Sequence, residues 1–369
     1  MSFIVESLEL ENFRSYRRGF VRFDPHLTIL HGPNAAGKTN IIEALQLLTT
    51  GTSFRKAVKS DLIAAECVHT RLRMLATDGV LRRDIEFSIK DDVKSVTVNE
   101  KKVRSVYELC SVLPCVVFTP DDLRMVKDAS SKRRQEIDGL GIQLSASYAR
   151  LVSEYQKIRS QRNKMMKEDQ FGSEAFVAWT DRMVDIGVAL TEKRYSLFCH
   201  LEEPLLEAYS GIVGDSSADQ TLKVNYVSTW GQDMSKDSFL AHLKEKSEEE
   251  KLRRQSLVGP HRDDIVFEIQ GRPARSMASQ GQQRSIALAW KMAQVSVVTD
   301  LGGKKPLLLL DDVMSEFDKE RRHALSRFVG KVAQTVITTA NIDYFDKELL
   351  ELAQTVSVPD DIEGVERGM

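Results

Sequence analysis

The sequence predicts an α/β fold with a mixed sheet and a second, mainly helical lobe, and three observations carry this prediction. An aliphatic strand over residues 27–30 leads into a glycine-rich loop, which is followed by a helix over residues 40–48. Residues 307–310 are four consecutive leucines, the pattern of a parallel strand covered on both faces. Between these segments, apolar residues from 137 to 201 recur at steps of three and four, which is the helical period.

Composition limits the class of protein. A chain of 369 residues can bury a large core in two lobes. The net charge of −2 gives no overall basic bias, so any contact with nucleic acid must come from local patches. We expect neither a signal peptide nor a membrane helix. The four cysteines form no C-x-x-C pair, which indicates reduced core thiols in a cytoplasmic protein.

Alternation of apolar and polar residues predicts the strands of the first lobe. Residues 4–13 alternate as a half-buried strand does, and Ile85, Phe87 and Ile89 do the same within an antiparallel group over residues 70–104. Further strands are predicted at residues 20–25, 113–118 and 224–229.

The second lobe is predicted to contain a short antiparallel helical hairpin. A first helical run begins near residue 133, and a polar break at residues 168–173 separates it from a second run that starts near residue 176. We expect a loop over residues 209–220, a charged helix over 236–251 and a frayed tail from 358 onward. The predicted boundaries are residues 1–120 and 299–369 for the first lobe, with residues 121–298 forming the second.

The glycine-rich loop matches the G-x-x-x-x-G-K-[ST] pattern of a phosphate-binding loop. Its two glycines leave room for backbone N–H groups to surround phosphate oxygens, and the following helix adds unpaired donors and a partial positive charge. We expect the lysine to contact the outer phosphates and the threonine hydroxyl to hold Mg²⁺. The predicted nucleotide-binding residues are Gly32, Pro33, Asn34, Ala35, Ala36, Gly37, Lys38 and Thr39.

Two carboxylates follow the leucine strand. Functional groups concentrate at the carboxyl ends of parallel strands, so Asp311 is predicted to support the metal and Asp312 to polarise an attacking water as a general base. Lys38 and Asp312 are therefore the candidate catalytic residues.

A third motif, residues 279–284, precedes an apolar-periodic helix. Ser279 is a favourable N-cap, and Gly281 permits close approach of the backbone, so the helix start is a candidate second anion site. Taken alone it is only a capped helix. Together with the other two motifs it resembles an ABC-type signature, which implies that Ser279, Gly281 and Gln282 contribute to the nucleotide site.

In this combination the chain resembles the RecF family, within the SMC and RecF group of ABC-type ATPases. The likeness extends over nearly the whole sequence. It is carried by residues 10–16, 37–40, 43–44, 53–55, 132–138, 155–163, 258–264, 278–284 and 310–318.

The resemblance implies a mediator of recombination and repair that binds DNA in an ATP-dependent way. With RecO and RecR, such proteins help to load RecA on gapped single- and double-stranded DNA, and they are linked to replication and the SOS response. ATP and Mg²⁺ are the implied cofactors. Asp312 stands where ABC heads usually carry glutamate, so we expect weak, DNA-stimulated hydrolysis.

The same resemblance implies a homodimer. Each chain has one phosphate loop and one signature helix, which lie on opposite faces in ABC heads. A complete site then needs two chains, with two ATP molecules between them. Two features of the pattern are missing: the Q-loop glutamine near residues 119–122 and the switch histidine after residues 336–339. The γ-phosphate sensor therefore stays unassigned.

Alternative interpretations exist for several features. The ATPase subunit of a transporter would require the missing glutamine and histidine, and an interaction module with a vestigial site would not require an intact Lys38. Residues 261–264 could be a metal or nuclease cluster, although a structural or DNA-proximal role fits their Gly-Pro turn better. Arg55, the basic cluster at 159–164 and the one at 251–254 are typical of solvated surface charges when they are considered alone.

Overall fold

The fold was analysed in a computed structural model, which describes residues 2–214, 221–231, 233–330, 332 and 334–367. The chain forms two compact units. Unit 1 comprises the chain up to Leu123, Ser210–Ile212 and the chain from Ala287 onward. Unit 2 comprises Arg124–Tyr209 and Val213–Ile286.

The strands are β1 Ile4–Phe13, β2 Tyr16–Arg22, β3 Leu27–His31, β4 Thr70–Thr77, β5 Arg82–Lys90, β6 Val93–Val98, β7 Lys101–Lys102, β8 Cys115–Phe118, β9 Leu222–Val227, β10 Asp264–Ile269, β11 Arg272–Pro273, β12 Leu307–Asp311, β13 Gln334–Thr339, β14 Gln354–Ser357 and β15 Glu363–Arg367.

The helices are α1 Lys38–Thr50, α2 Lys59–Leu62, α3 Val106–Cys110, α4 Ser130–Leu144, α5 Ala146–Lys167, α6 Glu174–Val213, α7 Lys236–Glu245, α8 Ser247–Arg253, α9 Ala274–Met277, α10 Gln280–Gly302, α11 Lys319–Val329 and α12 Lys347–Leu352. Short 3₁₀ segments lie at Pro120–Arg124, Val313–Glu316 and Ile342–Tyr344.

Unit 1 contains two sheets with α1 packed against both of them. Among the described residues, the parallel sheet has the strand order β14-β3-β13-β12-β8, and the antiparallel sheet has the order β15-β2-β1-β4-β5-β6-β7. Ile41 and Leu45 of α1 lie in one apolar cluster with Leu72 of the antiparallel sheet and Leu309 of the parallel sheet. This packing holds the start of α1 at the carboxyl ends of β3 and β12, where the predicted nucleotide-binding residues lie.

Unit 2 contains the predicted antiparallel hairpin, formed by α5 and α6. Arg162 near the end of α5 donates to the Thr180 hydroxyl near the start of α6 at 3.0 Å. Glu154, which is earlier in α5, pairs with Arg182, which is later in α6, at 2.5 Å. The unit also contains helices α4, α7, α8 and α9, the first residues of α10 and the small antiparallel sheet β11-β10-β9.

Most predicted strands and helices are confirmed, but five expectations were wrong. The long first helix is interrupted by Ser145, whose hydroxyl caps α5, and the charged helix is divided into α7 and α8. Residues 358–367 of the tail are not frayed, because Val358 and Ile362 are buried and β15 pairs with β2, and residues 368–369 lie outside the described residues. Helix α6 runs to Val213, whereas residues 215–220 of the expected loop lie outside the described residues. Cys199 is exposed and is therefore not a core thiol.

The predicted lobe boundaries at residues 121 and 299 stay predictions. The chain passes between the two units at residues 123–124, at 209–210 and 212–213 within α6, and at 286–287 within α10. A unit boundary inside a continuous helix leaves no signal in the sequence, since the apolar period continues across it.

Candidate nucleotide site

The phosphate loop joins β3 to α1, and both of its glycines are required by their surroundings. Gly32 has φ +148°, and a Cβ atom there would lie 2.2 Å from the carbonyl oxygen of Val358. Gly37 has φ +95°, and a Cβ atom there would lie 2.6 Å from the Tyr16 hydroxyl oxygen. Any side chain at either position is therefore excluded by both backbone conformation and contact. Because neither glycine carries a side chain, the loop presents its backbone to a phosphate.

Lys38 is the buried cation of the loop. Its Nζ donates to the carbonyl oxygens of Gly32 and Pro33, each at 2.8 Å. Burial lowers the pKa of Lys38, and the nearby charges of Asp312 and Asp311 oppose that shift. The ammonium group is thus bound to the loop carbonyls, and the charges of the carboxylates Asp311 and Asp312 act on it.

Asp311 is buried between two hydroxyl groups. Thr338 Oγ1 of β13 donates to Asp311 Oδ1 at 2.8 Å, and Thr39 at the start of α1 also hydrogen-bonds to this carboxylate. Burial raises the pKa of Asp311, while the two hydroxyls and the charge of Arg55 oppose the rise. A carboxylate beside a threonine hydroxyl is the oxygen donor set that Mg²⁺ prefers, so the residues present fit this ion.

Asp312 lies at the end of β12 in a different environment. Its φ of +51° is left-handed, and its backbone N–H donates to Thr338 Oγ1 at 2.9 Å. Its Oδ1 is buried and has no hydrogen-bond partner among the described residues. Burial raises the pKa of Asp312, and the Lys38 charge and a hydrogen bond from the Ala340 backbone N–H oppose the rise. Because Oδ1 has no donor among the described residues, it is suited to a water molecule or a ligand hydrogen within range of the Lys38 charge.

Glu43, which is fully buried in α1, accepts hydrogen bonds from several polar side chains near the loop. Arg14 donates to both of its carboxylate oxygens, at 2.6 and 2.9 Å, and the Ser53 hydroxyl donates to it at 2.5 Å. Arg55 Nη1 lies 3.4 Å from Glu43 and 3.0 Å from Asn40 Oδ1. Arg55 is exposed, but it is more than a solvated charge, because it pairs with Glu43 and its charge acts on Asp311.

The signature segment has the expected cap. Ser279 Oγ accepts from the Gln282 backbone N–H at 3.2 Å, and Gln282 Oε1 accepts from the Ser279 backbone N–H at 2.8 Å. This reciprocal capping box fixes the start of α10 and leaves Ser279 exposed. Gly281 lies in the first turn of the helix. These residues belong to unit 2, and the phosphate loop belongs to unit 1.

The segments that depart from the ABC pattern have clear structural roles. Asp122, near the expected Q-loop position, is buried and pairs with Lys291 of α10 at 3.3 Å. Phe317 is buried, with its ring 6.0 Å from that of Phe118. In the stretch where a switch histidine is expected, Thr338 holds both Asp311 and the Asp312 backbone.

Residues 261–264 are engaged within unit 2 and form no open cluster. His261 Nδ1 lies 2.7 Å from the Tyr155 hydroxyl and its Nε2 lies 2.9 Å from the Ser256 carbonyl, and burial lowers its pKa to about 3. Asp263 is fully buried and accepts from Tyr226 at 2.5 Å. These contacts favour the structural role over a metal or nuclease site.

Sequence reasoning missed Thr338 and Glu43 as parts of the site. Thr338 is far from the other motifs in sequence, and nothing local distinguishes it from a strand threonine. Glu43 had a signal, because an acid in the middle of an apolar helix needs a buried partner.

Comparison with known proteins identifies the family. The RecF/RecN/SMC N terminal domain family matches residues 4–360. A "DNA replication and repair protein RecF" from Lachnoclostridium phytofermentans is 33% identical over 371 residues, covering 99% of this chain and 100% of the relative. The protein of the same name from Desulfitobacterium hafniense is 34% identical and covers 92% of this chain and 94% of its own length.

Solved structures confirm the fold class. A structure of "the recombination mediator protein RecF-ATP in RecFOR pathway" has a TM-score of 0.86 at 25% identity, covering 100% of this chain and 98% of that one. The Smc head domain from Pyrococcus furiosus has a TM-score of 0.55 at 14% identity, covering 99% and 96%, which shows the shared fold of ABC-type heads. In the part of the chain that the structure describes, no helix is both long and apolar enough to span a bilayer. With relatives that match it from end to end, the chain belongs to the RecF family.

Proposed function

We propose that this protein is an ATP-dependent DNA-binding mediator of recombination and repair. The observation that carries the proposal is the arrangement of Lys38, Thr39 and Asp311 around one glycine loop, with Asp312 holding an unpartnered buried oxygen beside them. This arrangement supports binding of a nucleoside triphosphate with Mg²⁺. The ion, when bound, would neutralise phosphate charge between Thr39 and Asp311.

ATP is also proposed to join two copies of the chain. Lys38 and the loop amides hold the phosphates from one protomer, and Ser279 with the amides near Gly281 and Gln282 holds the γ-phosphate from the other. The exposed, capped start of α10 supports this arrangement, since the Ser279 hydroxyl and the positive end of the helix suit an anion. Removal of the γ-phosphate by hydrolysis then weakens the homodimer.

Hydrolysis is proposed to be slow and to be stimulated by DNA. Asp312 lies beside Lys38 and orients a water as general base, but its side chain is one methylene shorter than the usual glutamate. The left-handed backbone at Asp312 and its bond to Thr338 restrict how far the carboxylate can move. The protein is then an ATP-controlled clamp on DNA and not a motor.

The proposed partners follow from the family. We place the protein on gapped DNA at junctions of single and double strands, acting with RecO and RecR to load RecA, and contributing to replication restart and the SOS response in the cytoplasm. Binding to DNA is expected to depend on phosphates with little sequence readout.

Sedimentation velocity with ATP, ADP or no nucleotide, with and without gapped duplex DNA, tests the proposal. We expect a dimer only with Mg-ATP and tighter DNA binding in that state. A chain that stays monomeric at saturating Mg-ATP, and binds DNA equally in all nucleotide states, would contradict it.

A further inference from the structure

The two helices of the hairpin differ in charge. Helix α5 carries six arginines and lysines against one carboxylate, Glu154, and that carboxylate is paired with Arg182 of α6. Helix α6 is acidic, with seven carboxylates against three such cations. A solvated hairpin has no need to segregate charge in this way, since mixed charges along each helix stabilise it better. The segregation therefore indicates a charged partner on the α5 side.

Three of the four exposed cations of α5 form a straight row. Arg150, Lys157 and Lys164 are exposed and are spaced by seven residues, so they drift by only about 20° per step around the helix. The row spans about 21 Å at a rise of 1.5 Å per residue. Ser153 and Ser160, which are exposed between them, add short hydrogen-bond donors. We call these five residues the α5 basic row.

The row is available to a ligand, unlike the rest of the basic cluster at residues 159–164. Arg162 is 2% exposed and is held by Glu250 at 2.6 Å. Arg159 is half-buried, and its charge acts on the buried Tyr155 and His261. In the row itself, Lys164 has a 3.7 Å pair with the exposed Glu168 in the next turn. Such an exposed pair contributes only about 0.3–0.5 kcal/mol and yields easily to a phosphate.

The chemistry of the row fits the sugar–phosphate backbone of duplex DNA. Binding of single strands relies on aromatic side chains that stack on bases. Both tyrosines of α5, Tyr148 and Tyr155, are buried, so the exposed face presents cations, hydroxyls and the Gln156 amide but no aromatic ring. Contacts of this kind hold phosphates without reading sequence. We propose that the α5 basic row is a docking face for the duplex DNA backbone. This inference rests on the proposed DNA-binding function and identifies the surface that carries it out.

The test compares the full-length protein with the variant Arg150→Gln/Lys157→Gln/Lys164→Gln. Glutamine keeps the helix, because its helix propensity is close to that of lysine and arginine. Affinity for a fluorescent 30-base-pair duplex of mixed sequence is measured by anisotropy with Mg-ATP over a range of salt concentrations. We expect the variant to lose about tenfold in affinity near 0.1 M salt, and its slope of log K against log salt to fall by about 2–3. Binding of a fluorescent ATP analogue should not change.

A matched control separates the row from net charge. Lys193, Lys223 and Lys244 are exposed cations of unit 2 outside the row, and Lys193→Gln/Lys223→Gln/Lys244→Gln removes the same charge. The inference predicts near-normal duplex affinity for this control. An equal loss in both variants would overturn the inference, because the effect would then be a matter of total charge.

Other outcomes distinguish this inference from the proposed function. If the parent protein binds duplex DNA and the row variant binds it equally well, the row is not the docking face and the proposed function stands. If the row variant loses affinity for oligo(dT) but keeps its affinity for the duplex, the assignment to duplex is overturned. If the parent protein binds no DNA in any nucleotide state, the proposed function fails and the inference fails with it.

Discussion

At the scale of single residues, two neighbouring aspartates are given different environments by one threonine. Thr338 Oγ1 donates to the Asp311 carboxylate and accepts from the Asp312 backbone N–H. Asp311 is thereby oriented toward Thr39, while Asp312 is fixed in a left-handed conformation, which costs about 1–3 kcal/mol at a non-glycine residue. Because burial raises the pKa of both groups, their charged forms destabilise the protein when no ligand is bound.

Replacement of Asp312 by asparagine should stabilise the ligand-free protein. The pKa of Asp312 is higher in the folded state than in the unfolded state, so its ionised form opposes folding above the folded pKa. That penalty disappears as the pH falls through the folded pKa, because the native state takes up the proton. We expect Asp312→Asn to gain about 0.5 kcal/mol at pH 8, a small value because the group is partly exposed, and the gain should shrink as the pH falls through the raised pKa of this carboxyl.

Thermal unfolding without nucleotide, from pH 8 down to about pH 4, near the ordinary pKa of an aspartate, measures this difference. Glu203→Gln, a change at an exposed carboxylate of α6, is the control and should have little effect at any pH. A variant that is less stable than the parent protein at pH 8 would show that the Asp312 charge is compensated within the site.

At the scale of elements, Arg162 of α5 connects its own helix to α6, to α8 and to the segment that follows α8. Its guanidinium contacts Glu250 of α8 at 2.6 Å, Thr180 of α6 at 3.0 Å and Ser256 after α8 at 2.9 Å. It also lies 4.7 Å from the centre of the Phe176 ring. Each of the three guanidinium nitrogens therefore donates within a buried polar network. Loss of the cation leaves the Glu250 carboxylate buried without its partner.

Arg162→Met should lower the free energy of unfolding by about 3–5 kcal/mol, the usual effect of removing one member of a buried ion pair. Urea denaturation followed by circular dichroism measures it. Arg182→Met, which removes an arginine from the more exposed pair with Glu154, is the matched control and should lose about 1 kcal/mol or less. Adding Glu250→Gln to Arg162→Met should restore part of the stability. Equal losses in the two single variants would contradict the importance of burial.

At the scale of the whole molecule, the proposed ATP site uses residues that lie far apart in the chain. The phosphate loop and the carboxylates belong to unit 1, and the capped start of α10 belongs to unit 2. In the proposed dimer each protomer supplies the phosphate loop to one ATP and the α10 start to the other. Binding of nucleotide and association of protomers are then separate properties, and single substitutions should separate them.

Lys38→Met should weaken ATP binding at least tenfold, because it removes the buried ammonium from the phosphates. Ser279→Arg should leave ATP binding intact and prevent dimerisation, because a large side chain then occupies the contact with the partner's γ-phosphate. Equilibrium binding of a fluorescent ATP analogue and sedimentation velocity with Mg-ATP measure the two properties.

Ser145→Arg is the matched control, since Ser145 is the N-cap of α5 and its loss costs about 1 kcal/mol in the same way. This control should still dimerise with Mg-ATP. Normal dimerisation of Ser279→Arg would exclude the shared site.

The sequence alone determined the features that are written in local patterns. Glycine spacing, the leucine strand, the serine cap at residue 279 and the helical period of the hairpin each act over a few neighbouring residues, so the chemistry of the chain specifies them directly. From these features the fold class was predicted correctly, and the family followed from their order, whereas the nucleotide-binding role of the glycine loop stays a prediction.

Only the tertiary structure decided which residues of similar sequence become buried. Arg162 and Lys164 stand two positions apart in one basic cluster, yet one is a buried ion-pair partner and the other is exposed. The contact of Thr338 with Asp311, the pairing of Arg55 and the ordered tail at Ile362 likewise depend on partners that are distant in the chain. The reason is physical: burial and pairing are set by the packing of whole elements, and a local pattern does not state which elements meet.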